Sequence, residues 1–359
     1  MFNKKNIEKG PELATQETTF DDTRFGALNE GANTVGEQQV NVQVISRRSI
    51  KADYKVGGVL DQEHNNNWKA WLYLAPVLIL MAVFLIFPLI NTILIAFMKD
   101  YSYIDGSFSS WTFDNFLVVT GIKAVEAGGG YAYETNFVQY AIPNTLIVVF
   151  VTVPLSIMIA LLISVLLNNI KWLQKTYQIV FFLPYVTNAI SIGMVFSVMF
   201  DKHGLINYIF NSNIDWIYGN NRWLSMIPLC IYIVWSSLPF KILILLSGLQ
   251  NVDKQYYQAA KIDAAPQWKV LTRITVPALS PQILYLMVTS FIGAFKEYTA
   301  VVGLFGAKAP DNLKTVVFYI YDNLNTNTER AAAAAVILFI IILLFTFLQL
   351  WLSKKKVQY

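Results

Sequence analysis

Six apolar runs, at about residues 70–97, 136–167, 177–200, 224–249, 282–305 and 331–352, dominate this chain of 359 residues. A helix rises about 1.5 Å per residue, so about 20 residues cross a hydrocarbon layer about 30 Å thick. Each run reaches that length. Inside such a layer every backbone N–H and C=O must be paired within the protein, which favours a helix for each run. The composition agrees: 55% of residues are hydrophobic, only 14% are charged, and the mean hydropathy is +0.46. Soluble domains carry about 25% charged residues. The expected fold is all-α, a polytopic membrane protein with six transmembrane helices. The second run exceeds the layer thickness and is expected to tilt, kink near Pro154 or project out.

The polar parts set the expected orientation. Residues 1–67 are rich in Gly, Thr, Asn and Gln and read as a disordered polar tail. No apolar h-region opens the chain, so a cleaved signal peptide is not expected. Arg47, Arg48, Lys51, Lys55 and Lys69 precede the first run, Lys171 and Lys175 follow the second, and Lys354, Lys355 and Lys356 come after the sixth. Cations collect in cytoplasmic loops, so both termini are expected inside and the acidic segment 98–135 outside. The cations before the first run also suit contact with anionic membrane lipid. The net charge of +4 comes with no basic patch interleaved with aromatics, so nucleic acid is not an expected partner. Cys230 is the single cysteine and excludes an intrachain disulfide. His64 and His203 stand in different loops and define no metal site. There is no G-x-x-x-x-G-K-[ST] sequence, so any ATP would be hydrolysed by another chain.

Between the fourth and fifth runs lies a polar interruption, Asn251 to Pro277. Asp253 is placed to cap a helix, helix formers follow it, and Pro266 marks a break before a second short turn, Gln267 to Thr275. Ala259, Ala260, Asp263 and Ala264 then share one small, flat side. The interruption resembles the EAA loop of ATP-binding-cassette importer permeases. The family pattern, E-A-A, three residues, Gly, about nine residues and I-x-L-P, is met by Gln258-Ala259-Ala260, Ala264 and Ile274-Thr275-Val276-Pro277. Gln258 replaces the family Glu and Ala264 the family Gly. In a helix interior Ala is favoured over Gly by about 1 kcal/mol. Weaker likenesses to sugar permeases are Trp111 to Phe116 and Gly204-Leu205-Ile206-Asn207.

The resemblance covers residues 68–359 and is nearest to the carbohydrate-uptake permeases. It implies a coupling helix between helices four and five, with Gln258, Ala259, Ala260, Asp263 and Ala264 docking on an ATPase. It also implies a second permease subunit, two ATPase subunits carrying ATP-Mg, an extracellular solute-binding protein and a carbohydrate substrate. The location it implies is the bacterial cytoplasmic membrane. The chain itself binds no cofactor and performs no covalent chemistry in this reading.

Polar residues retained in a bilayer usually face the bundle interior or a wet path. Lys241, near mid-membrane, is expected to pair, to line the path or to snorkel. Lys296 and Glu297 are adjacent and diverge by about 100° on a helix, so only one is expected on the path. Asn144, Asn188, Ser191, Trp235 and Tyr298 are further path candidates, each with a competing role in packing or interhelical hydrogen bonding. Aromatics with amides and hydroxyls suit a sugar. Two rival functions were weighed. A secondary transporter or channel acting without an ATPase needs ion-coupling carboxylates near the midplane, and only Glu297 offers one. An intramembrane enzyme needs a motif such as G-x-S-x-G or H-E-x-x-H, and none occurs in a run.

Overall fold

The computed structural model describes residues 67–127, 130–170, 174–219 and 221–353. The expected tail 1–67, except Asn67, and Lys354 to Lys356 lie outside the described residues. Chain contacts divide the protein into two units, Met1–Leu74 and Ala75–Tyr359. Of the first unit, residues 67–74 are described, and all are helical.

Four helices are long and apolar enough to cross a membrane: α1 (Trp68–Ala96), α3 (Phe137–Asn169), α7 (Arg222–Gln250) and α13 (Thr328–Ser353). Their bounds lie within three residues of the apolar runs. The third and fifth runs are not single straight helices. The third is a pair, α4 (Gln174–Val186) and α5 (Ala189–Met199), with a bend of 101° between them. Asn188 adopts extended backbone and its side chain accepts the Ser191 N–H, so α5 starts afresh there as a capped helix. Just ahead of the fifth, α9 (Gln267–Ala278), from the polar interruption, meets α10 (Ser280–Phe295) at 70°. α10 then stops at Lys296, where the expected span continued to 305, and α11 (Thr299–Phe305) follows. Among the described residues there are 4 such helices, or up to 6 if each bent pair is one span.

Prolines shape these helices in one recurrent way. Pro88, Pro143, Pro154 and Pro277 each follow a five-residue widened turn: Ala82–Ile86, Phe137–Ala141, Val148–Thr152 and Leu271–Thr275. A proline has no N–H and its ring collides with the carbonyl four residues back. The chain responds by reaching back five residues: Phe87 N–H bonds Ala82 O, Ile142 N–H bonds Phe137 O, and Val276 N–H bonds Leu271 O. Before Pro154 the widened turn closes with Val153 N–H on Val149 O, within one continuous helix.

The all-α expectation needs one amendment. Two short antiparallel hairpins stand between α1 and α3. β1 (Met98–Lys99) pairs with β2 (Ser110–Trp111), and β3 (Ala124–Ala127) with β4 (Gly130–Tyr133). Between the hairpins, α2 (Asp114–Val119) buries Asn115, whose amide donates to Ala96 O and Met98 O at 3.0 and 2.7 Å. Ala96 O ends α1 without a helical partner of its own and Met98 O follows it in β1, which accounts for an asparagine in this segment.

α7 packs along α3, and Ser164 Oγ donates to Ile242 O at 3.2 Å across that contact. α11 packs on α5 at a pair of facing glycines. A Cβ on Gly193 would stand 2.6 Å from Gly303 Cα. Only the absence of both side chains lets the two backbones approach so closely. The loop after α5 is organised by buried Asn207 on α6 (Leu205–Ile209). Its amide donates to Asp201, Lys202 and Ile214 carbonyls, and its oxygen accepts from Trp216 Nε1 at 3.0 Å.

Candidate functional site: a polar cavity and a short loop helix

The polar interruption folds as α8 (Lys254–Ile262). Asp253 caps it, its carboxylate accepting the Gln255 N–H at 2.9 Å. The far end corrects the sequence reading of Ala264. This residue is not on the helix face. It sits beyond the helix end with φ +49°, in the left-handed region. Ala264 N–H bonds Lys261 O at 3.2 Å, and Ala265 N–H bonds Ala260 O at 2.9 Å. This pair of bonds is the Schellman ending, in which the residue after the cap turns left-handed and glycine is preferred. The family glycine at this position therefore meets a backbone requirement, and the preference for Ala that holds in a helix interior is reversed. Of the remaining loop candidates, Gln258, Ala259 and Asp263 are exposed, whereas Ala260 is buried within the chain at 7% exposure. Tyr257 lies on the inward side, its hydroxyl 3.3 Å from Thr275 Oγ1. Ile262 is 85% exposed at the helix end, an apolar side chain that the chain itself leaves uncovered.

α3, α4, α7 and α10 line an open cavity of about 310 Å³. Its lining includes Lys241, Glu297, Tyr185, Ser236, Ser237, Thr289 and Ser290. Lys241 is buried and donates to Ser156 Oγ at 2.5 Å and Ser237 Oγ at 3.0 Å. An ammonium has three donors. Two serines take two of them, and among the described residues no carboxylate lies within ion-pair distance of Lys241. Glu297 Oε1 accepts the Ala300 N–H at 2.8 Å, at the start of α11. Lys296 is exposed whereas Glu297 lines the cavity, and the helix has already ended at this pair, so the helical spacing expected of them does not apply. Tyr185 stacks on Phe240 with centroids 6.0 Å apart, and both rings line the cavity. The cavity thus offers an ammonium, a carboxyl, hydroxyls and aromatic faces.

The other path candidates are placed elsewhere. Asn144 is fully buried and serves as a junction. Its amide donates to Asn312 O and Lys314 O at 3.0 and 2.8 Å, and its oxygen accepts from Arg222 Nε at 2.7 Å. It ties α3 to the start of α7 and to the loop before α12 (Val316–Asn323). Asn188 caps α5 by accepting the backbone N–H of Ser191, and both residues are exposed and stand outside the cavity lining. Trp235 lies 5.4 Å from the Phe196 ring and borders a separate, largely apolar groove. Tyr298 packs against Phe318 and Tyr321. Thr289 and Ser290 were missed: isolated hydroxyls in an apolar run carry no sequence signal beyond lying about two turns before Glu297.

Just before α12, Lys314 bridges Asp311 and Asp322, with both contacts at 2.5 Å. Burial pulls the Lys314 pKa down, but the two carboxylates outweigh burial and leave it raised. Asp114 is held below the usual carboxylate range by its hydrogen bond to Lys123.

Known proteins bear on this arrangement. The lactose transport system permease protein LacF of Rhizobium radiobacter is 27% identical over 289 residues, 77% of this chain and 86% of LacF. The arabinooligosaccharides transport system permease protein AraP of Bacillus subtilis is 27% identical over 277 residues, 74% of this chain and 82% of AraP. A crystal structure of a bacterial ABC transporter involved in the import of the acidic polysaccharide alginate superposes with a TM-score of 0.66 at 19% identity. It covers 83% of this chain and 99% of that one, and shows likeness of fold. The sequence pattern of the binding-protein-dependent transport system inner membrane components matches residues 160–358, more than half of the chain. The interruption with α8, the cavity helices α7 and α10, and the last span all fall inside that match, and the chain belongs to this family of membrane permeases.

Proposed function

We propose that this chain is one of two permease subunits of an ATP-binding-cassette importer that carries a carbohydrate across the bacterial cytoplasmic membrane. The observation that carries the reading is the position of α8. It is the polar link between α7, which brings Lys241 to the cavity, and α9–α10, which leads to Glu297. A force applied to α8 therefore reaches both walls of the cavity. In this reading α8 is the coupling helix, each bent pair forms one span, and six spans place both termini and α8 in the cytoplasm. Two separate ATPase subunits bind ATP-Mg, and a solute-binding protein delivers the sugar from outside. ATP-driven closure of the ATPases favours one of two arrangements of the spans, so access to the cavity alternates. Relatives named for lactose and arabinooligosaccharides support a sugar as the cargo. The cavity suits one, with stacked aromatics for the apolar ring face and hydroxyls, Lys241 and Glu297 for its hydroxyl groups.

Ala260 is buried in the chain, so bulk there would disturb the loop itself and say nothing about docking. The test uses exposed Ile262. Ile262→Glu is expected to leave the chain inserted in the membrane but to abolish its co-purification with the ATPase. Lys241→Met is expected to preserve co-purification and impair sugar uptake. Uptake by membranes that contain no ATPase partner would refute the proposal and favour a secondary transporter or channel.

A further inference from the structure

We propose that the groove between the start of α10 and the end of α13 binds an anionic phospholipid, of phosphatidylglycerol type. The groove has a volume of about 850 Å³, with Ile283, Met287 and Leu352 in its apolar wall. Its polar lining includes Arg273, Ser280 and Gln349. Ser280 Oγ and Gln349 Oε1 are buried and find no hydrogen-bond partner among the described residues. Buried polar atoms are rarely left unmet in a finished assembly, so these two point to a missing occupant. That occupant needs an apolar body and a hydrogen-bonding head.

Position and charge narrow the class. α10 begins and α13 ends at this groove, so it lies at the level where the chain leaves the hydrocarbon. Among the described residues, Arg273 is the one charged residue in the lining. A phosphodiester meets its guanidinium and accepts from the Ser280 hydroxyl. A glycerol headgroup also supplies hydroxyls that the Gln349 carbonyl can accept. Phosphatidylcholine has no headgroup hydroxyl and would bring its own cation to Arg273. A second copy of this chain would bring like charges to the same place.

The full-length chain, alone and in the assembled importer, is placed in phosphatidylcholine nanodiscs with a trace of photoreactive phosphatidylglycerol or photoreactive phosphatidylcholine. Labelled peptides are then mapped. The glycerol lipid is expected to label residues 280–287 and 349–353 about fivefold more than the choline lipid, the discrimination that about one cation contributes near an anionic surface. Arg273→Gln is expected to abolish that preference. Arg273→Lys, which keeps the charge, is expected to retain it, and monodisperse gel filtration of each variant controls for folding. Equal labelling by the two lipids, or a preference that survives Arg273→Gln, overturns the proposal. So does a groove that neither probe reaches in the assembled importer because the second permease subunit covers it. Labelling reads lipid on the chain itself, so the result is independent of which substrate is carried.

Discussion

Replacing Ala264 by glycine tests the local account of α8 where sequence and structure give opposite signs. Within a helix the substitution would cost about 1 kcal/mol. At φ +49° the methyl group of Ala264 stands instead against its own carbonyl, a strain of about 1–2 kcal/mol that glycine removes. Ala264 is exposed, so no packing is lost with the methyl. Glycine makes the unfolded chain freer, which takes back about 0.4–1 kcal/mol. The net expectation is a gain of about 0.5–1 kcal/mol in the closed helix end. That corresponds to about two- to fivefold slower opening of the bonds from Ala264 to Lys261 and from Ala265 to Ala260. Hydrogen exchange on the purified full-length chain reads these amides in a peptide covering residues 259–268. Ala264→Val is the opposing variant, since a β-branched residue tolerates left-handed backbone poorly, and its exchange should be faster than that of the parent. Faster exchange in the glycine variant, or equal exchange in all three chains, would refute the assigned helix ending.

The remaining predictions concern the packed parts. Gly193→Ala forces a methyl into the Gly303 backbone, and overpacking of this kind costs about 1–3 kcal/mol, so thermal unfolding in detergent should occur at a visibly lower temperature. Asn144→Leu leaves Arg222 Nε and two loop carbonyls without their partner, and a loss of about 3 kcal/mol or more is expected, seen as proteolysis in the loop before α12. Because Lys314 has a raised pKa, its contribution to stability is complete below the ordinary lysine value and is lost only as pH rises through the raised one. Asp114 has a lowered pKa, so its contribution is present above the ordinary carboxylate value and is lost as pH falls through the lowered one. Protease resistance of these two segments should therefore be flat between about pH 5 and pH 9, and a step near pH 7 would contradict both pairings.

The four straight spans were legible because one quantity, apolar length, determines them. The bends in the third and fifth runs were not, because an apolar run reads alike whether its helix is continuous or broken. The signals were present but local. Asn188 stands four residues after Pro184 and three before Ser191, the spacing of a new helix start. Lys296-Glu297-Tyr298 was read as polar content of a span, yet it is where the helix stops and the chain turns into α11. The prolines were a better guide than expected, since each of four widened turns ends just before one.

Candidate path residues were hardest to separate because a bilayer penalises every buried polar group in the same way, whatever its task. Asn144 and Lys241 look equivalent in sequence, each a lone polar residue in an apolar helix. What distinguishes them is bonding capacity left over. Both amide donors of Asn144 and its oxygen are taken up by Asn312, Lys314 and Arg222, so it has little to offer a passing solute. Lys241 spends two donors on Ser156 and Ser237 and keeps a third at the wall of a cavity that also holds Glu297, Thr289 and Ser290. A group saturated by its own chain holds the fold together, whereas an unsaturated one beside an open volume is available to a ligand. That distinction depends on partners 78 to 170 residues away in the chain, as with the Asn144 contacts. No local spacing rule encodes partners so distant.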